Sequence, residues 1–285
     1  MKIKKYSIDI LKPDWPKWKK SIANFFLFNL PFLKIRKVNR MLKKRSRLRG
    51  GDFIQQVCND LGFDYKVYHP EEIPKTGPVT MVANHPGGAD VVGTIAGLWD
   101  YRKDFQVLAN ELICVEPVVD LVIPVNVMKK SNKVDDSLIH KAYQTGKMVV
   151  YFAAGKNSRY NEEGLLRDRR WRTSFLDFAF KYKTPLLVMH IEAKNTKLFY
   201  WVSTIREKFD ALKKIPLENM FQLREIIKQK GKTVELNLAK LISFEEWSQY
   251  YKEGDIKANR LLADQVYNLV YTMDKENYSL QWNKV

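Results

Sequence analysis

Short runs of Val, Leu and Ile, each bounded by turn residues or helical patterns, constrain this chain more than any other feature. Val79–Ala83, Phe105–Ala109, Leu121–Val125, Met148–Phe152, Pro185–Ile191 and Thr233–Leu238 have the length and composition of strands buried on both faces. Helical patterns fall between them, around 91–100, 133–145, 171–183 and 197–230, with a break expected at Pro216. Strands that are apolar all round need cover on both faces, and alternation with helices provides it. The expected class is α/β: a mixed, mostly parallel sheet flanked by helices. With 285 residues the chain is long enough to bury such a core.

Charge is distributed unevenly along that plan. Residues 1–50 hold 16 Lys or Arg against Asp9 and Asp14, so this arm carries most of the formal net charge of +17. A basic arm on a nearly neutral body calls for a polyanionic partner, either nucleic acid or an anionic lipid surface. Its apolar run, Ile22 to Leu33, has 12 residues, is interrupted by Asn24 and Asn29, and is bounded by Lys19, Lys20 and Lys34. A bilayer span needs roughly 20. No small-x-small cleavage site follows, so a signal peptide is not expected. Trp15, Trp18, Phe25, Phe26, Phe28 and Phe32 beside these lysines suit a basic amphipathic helix lying in a membrane interface. The other reading is a helix that packs these rings on its own domain. Arg49-Gly50-Gly51-Asp52 closes the arm, giving an expected division into a membrane-association segment 1–50, an α/β domain 51–245 and a helical tail 246–285 packed on that domain. In the tail, Ser243-x-x-Glu246 has the form of a capping box, and Leu261, Leu262, Val266, Leu269 and Val270 recur at helical spacing.

Cys58 and Cys114 are too few for a disulfide framework, and His69, His85, His140 and His190 share no metal-ligand spacing, so neither a disulfide nor a metal is expected. Chemistry-bearing residues cluster instead at two strand ends. After Val79–Ala83 come Asn84, His85 and Asp90, where α/β proteins place ligands. On a straight helix His85 and Asp90 would lie about 140° apart. Pro86, Gly87 and Gly88 resist helix and let the loop fold back, so the carboxylate can hydrogen-bond the imidazole and fix its tautomer while His85 accepts a proton. A surface turn with Asp90 as a helix cap is the structural alternative. After Met148–Phe152 come Ala153, Ala154 and Gly155, then Lys156, Asn157, Ser158 and Arg159. Gly155 permits close backbone approach, and Lys156 and Arg159 offer cations to a phosphate or carboxylate.

The ordered pair Asn84-His85-x4-Asp90 and Phe152-Ala-Ala-Gly155-x-x-Ser158-Arg159 resembles the H-x4-D and F-P-x-G motifs of the glycerolipid and lysophospholipid acyltransferase superfamily. The helix led by Trp171, the strand Pro185–Ile191 and Asn195-Thr-Lys-Leu-Phe-Tyr200 are similar to the hemolysin-like, ornithine-lipid O-acyltransferase branch. The resemblance covers about residues 75–245. It implies His85 as general base and Asp90 as its orienting partner. Acyl-CoA or acyl carrier protein would be the thioester cosubstrate, with no other cofactor. It implies that Gly155, Ser158 and Arg159 hold the polar head of a lyso-lipid acceptor; Asn84 and Lys156 beside them are further expected substrate contacts, and the expected place is the cytoplasmic face of the membrane. The chain departs from the pattern in three places: Ala153 replaces a proline, Ala154 stands where lysophosphatidate acyltransferases have glutamate, and Leu121–Asn126 lacks the arginine of their second motif, the last two bearing on the acceptor. They favour a lyso-ornithine or lyso-glycine lipid over 1-acylglycerol 3-phosphate. Nucleic-acid binding by the basic arm is the alternative of another class. Against it, the cations flank the aromatic run instead of interleaving with it.

Overall fold

The computed structural model describes residues 16–29, 34–110, 113–125, 135–209 and 217–282. Trp15, Phe32, Asn126 and the expected break at Pro216 lie outside them, as do the side chains of Phe26 and Phe28. Three helices lead in: α1 (Lys17–Asn29), α2 (Ile35–Lys44) and α3 (Gly50–Leu61). The body follows as β1 (Asp64–Tyr68), β2 (Val79–Ala83), α4 (Asp90–Trp99), β3 (Phe105–Asn110), β4 (Val122–Val125), α5 (Asp136–Gln144) and β5 (Met148–Phe152). A small hairpin, β6 (Arg159–Tyr160) and β7 (Leu166–Arg167), precedes α6 (Ser174–Lys181), β8 (Leu186–Glu192), α7 (Lys197–Lys208), α8 (Leu217–Ile227) and β9 (Thr233–Leu238). The chain continues through α9 (Phe244–Ser248) and α10 (Ile256–Thr272).

Seven strands form one sheet in the order β1-β9-β8-β2-β5-β3-β4. Every pairing is parallel except β8 with β9. The mostly parallel α/β class expected from the apolar runs is the one observed. The six expected strands are all present. The seventh, β1, reads Asp-Tyr-Lys-Val-Tyr and is at most half-buried along its length, because it sits at the sheet edge. Alternation along the central strands divides the core into two. Met81, Ala83, Val150 and Phe152 pack on one face, and Val82, Val149 and Tyr151 on the other.

The first face is covered by α3 and α4. Gly93 and Gly97 lie on the sheet-facing side of α4, and a Cβ on either would fall within 2.7 Å of Val234 or Leu236 on β9. Only glycine lets α4 lie this close, which fixes the position of its first residue, Asp90. The second face is covered by α5, α6 and α10. In α10, Leu262, Ala263, Val266, Leu269 and Val270 are buried, whereas Leu261 points outward. The Ser243 hydroxyl caps α9 by accepting from Glu246 N–H at 3.2 Å, but the Glu246 carboxylate bonds the Trp282 indole, so only half of a capping box forms.

The basic arm is not uniform. In α2, Leu42 is buried in the first core, and Arg45 forms a two-pronged ion pair with Asp60 on α3. In α1, Trp18 and Phe25 are 62% and 65% exposed. No helix among the described residues is long and apolar enough to cross a membrane.

Candidate active site

Strands β2, β5 and β8 run parallel, so their carboxyl ends open onto one edge of the sheet, with Ala83 beside Phe152 and Met189. The loops leaving them carry His85, Asn157 and Asn195. Gly87 and Gly88 take φ of 88° and 74°, which fold the His85 loop back onto the start of α4. His85 Nδ1 then lies 2.7 Å from Asp90 Oδ2. That oxygen also accepts the Gly87 N–H at 2.7 Å, and Oδ1 accepts Val91 N–H at 2.7 Å. A carboxylate at a helix N-terminus, fed by two backbone donors, is held ionised. It acts as an acceptor only, so Nδ1 carries the proton and the lone pair of a neutral ring lies on Nε2.

Burial pushes the His85 imidazole downward, but the charge and hydrogen bond of Asp90 outweigh it, and the net shift is upward from 6.5. For Asp90, burial pushes up while the imidazolium and the Gly87 and Val91 N–H groups pull the carboxyl below its usual range. The ring tilts against Phe152 with centroids 4.7 Å apart, and 18% of the His85 side chain is exposed. His85 and Asp90 face a cavity of about 690 Å³. A smaller apolar groove of about 70 Å³ lies beneath α2, with Met41 and Leu42 in its walls. Val92, Ile113 and Ile226 line both spaces.

The other sequence candidates divide. Gly155 and Lys156 line the cavity. Asn84 does not: its amide donates to Ile191 O at 3.0 Å and accepts from Ile191 N at 2.7 Å, locking the end of β2 to β8. Ser158 is buried, its Oγ donating to Asp168 and its N–H to His85 O at 2.7 Å. Arg159 turns Nη1 onto the carbonyls of Asn157 and Ser158 and sets its guanidinium 5.6 Å from the Phe199 ring. Their visible polar bonds hold the loops together, and the cations that line the cavity beside Lys156 are Arg172 and Arg206.

Asp168 is the residue whose role sequence reasoning missed. In Asp168-Arg169-Arg170-Trp171 it has the look of a surface charge or a head-group contact, yet it is only 6% exposed. Its carboxylate accepts His85 N–H at 3.1 Å, Ser158 Oγ at 2.5 Å and Trp171 Nε1 at 2.9 Å. Burial pushes the carboxyl up, and these donors oppose it. Its own N–H donates to Tyr271 Oη and its carbonyl accepts from Tyr267 Oη, which tie the clamp to α10. Asn157, Asn195 and Arg172 also reach the cavity; Asn195 leads the Asn195-Thr-Lys-Leu-Phe-Tyr200 segment and Asn157 lies between Gly155 and Ser158, but nothing in either pattern assigns the side chain a role.

Among the described residues no cluster of His, Cys, Asp and Glu could hold a metal, and no hydroxyl or thiol hydrogen-bonds the His85 ring. The arrangement sets a carboxylate-bound imidazole, able to act as a base, at the wall of a partly apolar cavity.

A family model described as acyltransferase matches residues 16–262. The chain is 25% identical over 258 residues to a lyso-glycine lipid O-acyltransferase of Bacteroides thetaiotaomicron, covering 86% of this chain and 93% of that protein. It is also 25% identical over 229 residues to a lyso-glycine lipid O-acyltransferase of Phocaeicola vulgatus, covering 76% and 81%. The crystal structure of the 1-acyl-sn-glycerophosphate acyltransferase PlsC from Thermotoga maritima superposes with a TM-score of 0.47 at 16% identity, over 93% of this chain and 99% of that one. With a family model spanning most of its length, the chain belongs to the acyltransferase family and is an enzyme of acyl transfer.

Proposed function

We propose that this protein is a lyso-lipid O-acyltransferase in which His85 activates the acceptor hydroxyl and Asp90 orients His85. The single observation that carries the reading is the 2.7 Å bond between them at the wall of a cavity. An acceptor hydroxyl beside Nε2 attacks the carbonyl carbon of an acyl-CoA or acyl carrier protein thioester. Its proton passes to Nε2, and the imidazolium then protonates the departing thiolate. Transfer is direct, with no acyl-enzyme.

The favoured acceptor is a lyso-glycine or related lyso-aminoacyl lipid, in keeping with the relatives' names. Lys156 and Arg172 suit its carboxylate, and the groove beneath α2 suits an acyl tail. The exposed rings and cations of the arm would seat the enzyme at the cytoplasmic face of an anionic membrane, peripheral or monotopic.

The test is turnover by the purified chain with an acyl thioester and either lyso-glycine lipid or 1-acylglycerol 3-phosphate. Lyso-glycine lipid is expected to be acylated faster, and His85→Ala to lose at least about 10²-fold in kcat with its circular dichroism unchanged. Normal turnover by that variant would exclude the mechanism. Preference for the glycerophosphate would exclude the acceptor.

A further inference from the structure

We propose that the side-chain amides of Asn157 and Asn195 form the oxyanion site of this reaction, an inference that rests on the acyl-transfer reading above. Attack on a thioester places negative charge on the carbonyl oxygen, and donors held in position for that charge are a large part of catalysis. Backbone N–H groups at the strand ends are the obvious source, yet five of those nearest His85 are engaged. His85 N–H donates to Asp168, Gly87 N–H to Asp90, Gly88 N–H to Asn195, Gly155 N–H to Phe152 O, and Ser158 N–H to His85 O.

Asn195 is 6% exposed and lines the cavity. Its Oδ1 accepts Gly88 N–H at 2.5 Å, which fixes which end of the amide is nitrogen. Its backbone N–H donates to Tyr200 Oη at 3.1 Å, and the next residue, Thr196, is clamped through N–H and hydroxyl to the buried Glu225 carboxylate. Nδ2, so held, has no acceptor among the described residues although it is buried. A buried donor without a partner is rare and costly unless function uses it.

Asn157 presents the second amide. Its Nδ2 lies 3.4 Å from His85 Nε2 and 3.5 Å from Nδ1. Nearly equal distances place it on neither in-plane lone-pair axis, so Nε2 stays open to a proton. The two amides converge: a carbon built on Gly87 would sit 2.1 Å from Nδ2 of Asn195 and 3.0 Å from Nδ2 of Asn157. As the acceptor oxygen bonds to the thioester carbon and its proton moves to Nε2, the carbonyl oxygen gains the charge and takes N–H bonds from both amides. Collapse re-forms the carbonyl, breaks the C–S bond and returns the proton to sulfur.

The test is steady-state kinetics of the full chain with an acyl thioester and lyso-glycine lipid. Asn195→Asp keeps an oxygen for Gly88 N–H and exchanges the donor for a second carboxylate oxygen of nearly the same shape, so the fold should survive. Asn157→Ala removes the second donor. Each is expected to lower kcat by about 10²–10³-fold. KM should stay within about threefold, and in Asn157→Ala, which adds no charge, the acidic midpoint of the pH–rate profile, which reports His85, should not move. Wild-type kcat in either variant overturns the proposal, as does a loss confined to KM or, in Asn157→Ala, one accompanied by a shifted midpoint. A wild-type chain that acylates no lyso-lipid overturns the acceptor reading and this proposal together. An active wild type with an active Asn195→Asp overturns this proposal alone.

Discussion

At His85 two opposed effects set the protonation of the proposed base. Burial alone would keep the ring neutral, but Asp90 supplies charge and a 2.7 Å bond, and the net is a raised imidazole. The proposed base is the neutral form, so activity is lost as pH falls through a midpoint above 6.5. In Asp90→Asn the two larger raising influences are gone, while burial and the weaker pull of the Asp168 charge remain. The midpoint of kcat/KM should therefore move down while the plateau falls by about 10²–10⁴-fold. A pH–rate profile of both proteins measures it, and an unmoved midpoint would mean that Asp90 does not govern the ring.

Among the elements, the connection from Asp168 to α10 carries the most consequence. One carboxylate gathers three donors from the histidine loop, the β5 loop and Trp171, and two tyrosines of α10 hold its backbone. Asp168→Ala leaves those buried donors without an acceptor, at about 1–3 kcal/mol each. Urea unfolding should show a loss of at least about 2 kcal/mol, and turnover should fall because His85 loses its backbone mooring. Tyr271→Phe keeps the ring and should cost about 1 kcal/mol. An Asp168→Ala protein with the wild-type unfolding midpoint would contradict the clamp. Sequence reasoning found the helix that bears Tyr267 and Tyr271 by its apolar period, but a period reports which face is buried and says nothing of which loop the polar tips will reach.

For the molecule as a whole, the arm and the body meet at α2, which sinks Leu42 into the core while α1 leaves Trp18 and Phe25 exposed among lysines. Membrane association through this arm predicts flotation with anionic vesicles that weakens from low salt to about 0.5 M, as the Debye length contracts. Trp18→Ser and Phe25→Ser together should lower flotation without changing turnover on detergent-dispersed substrate. Equal binding to neutral and anionic vesicles would remove the electrostatic part of this account.

Sequence by itself determined the α/β class, six of the seven strands of the main sheet, and the loop that joins His85 to Asp90, because apolar periodicity and glycine are local signals that survive without the fold. The edge strand β1 escaped because half-exposed polar strands lack that signal. Tertiary structure decided the division of labour among the polar residues. Asn84 and Ser158 turn inward to lock strands and loops, Asp168 leaves the surface, and Asn195 arrives from a loop 110 positions beyond His85. A polar side chain's task depends on which donors and acceptors the sheet order brings beside it, and that order is set by long-range pairing.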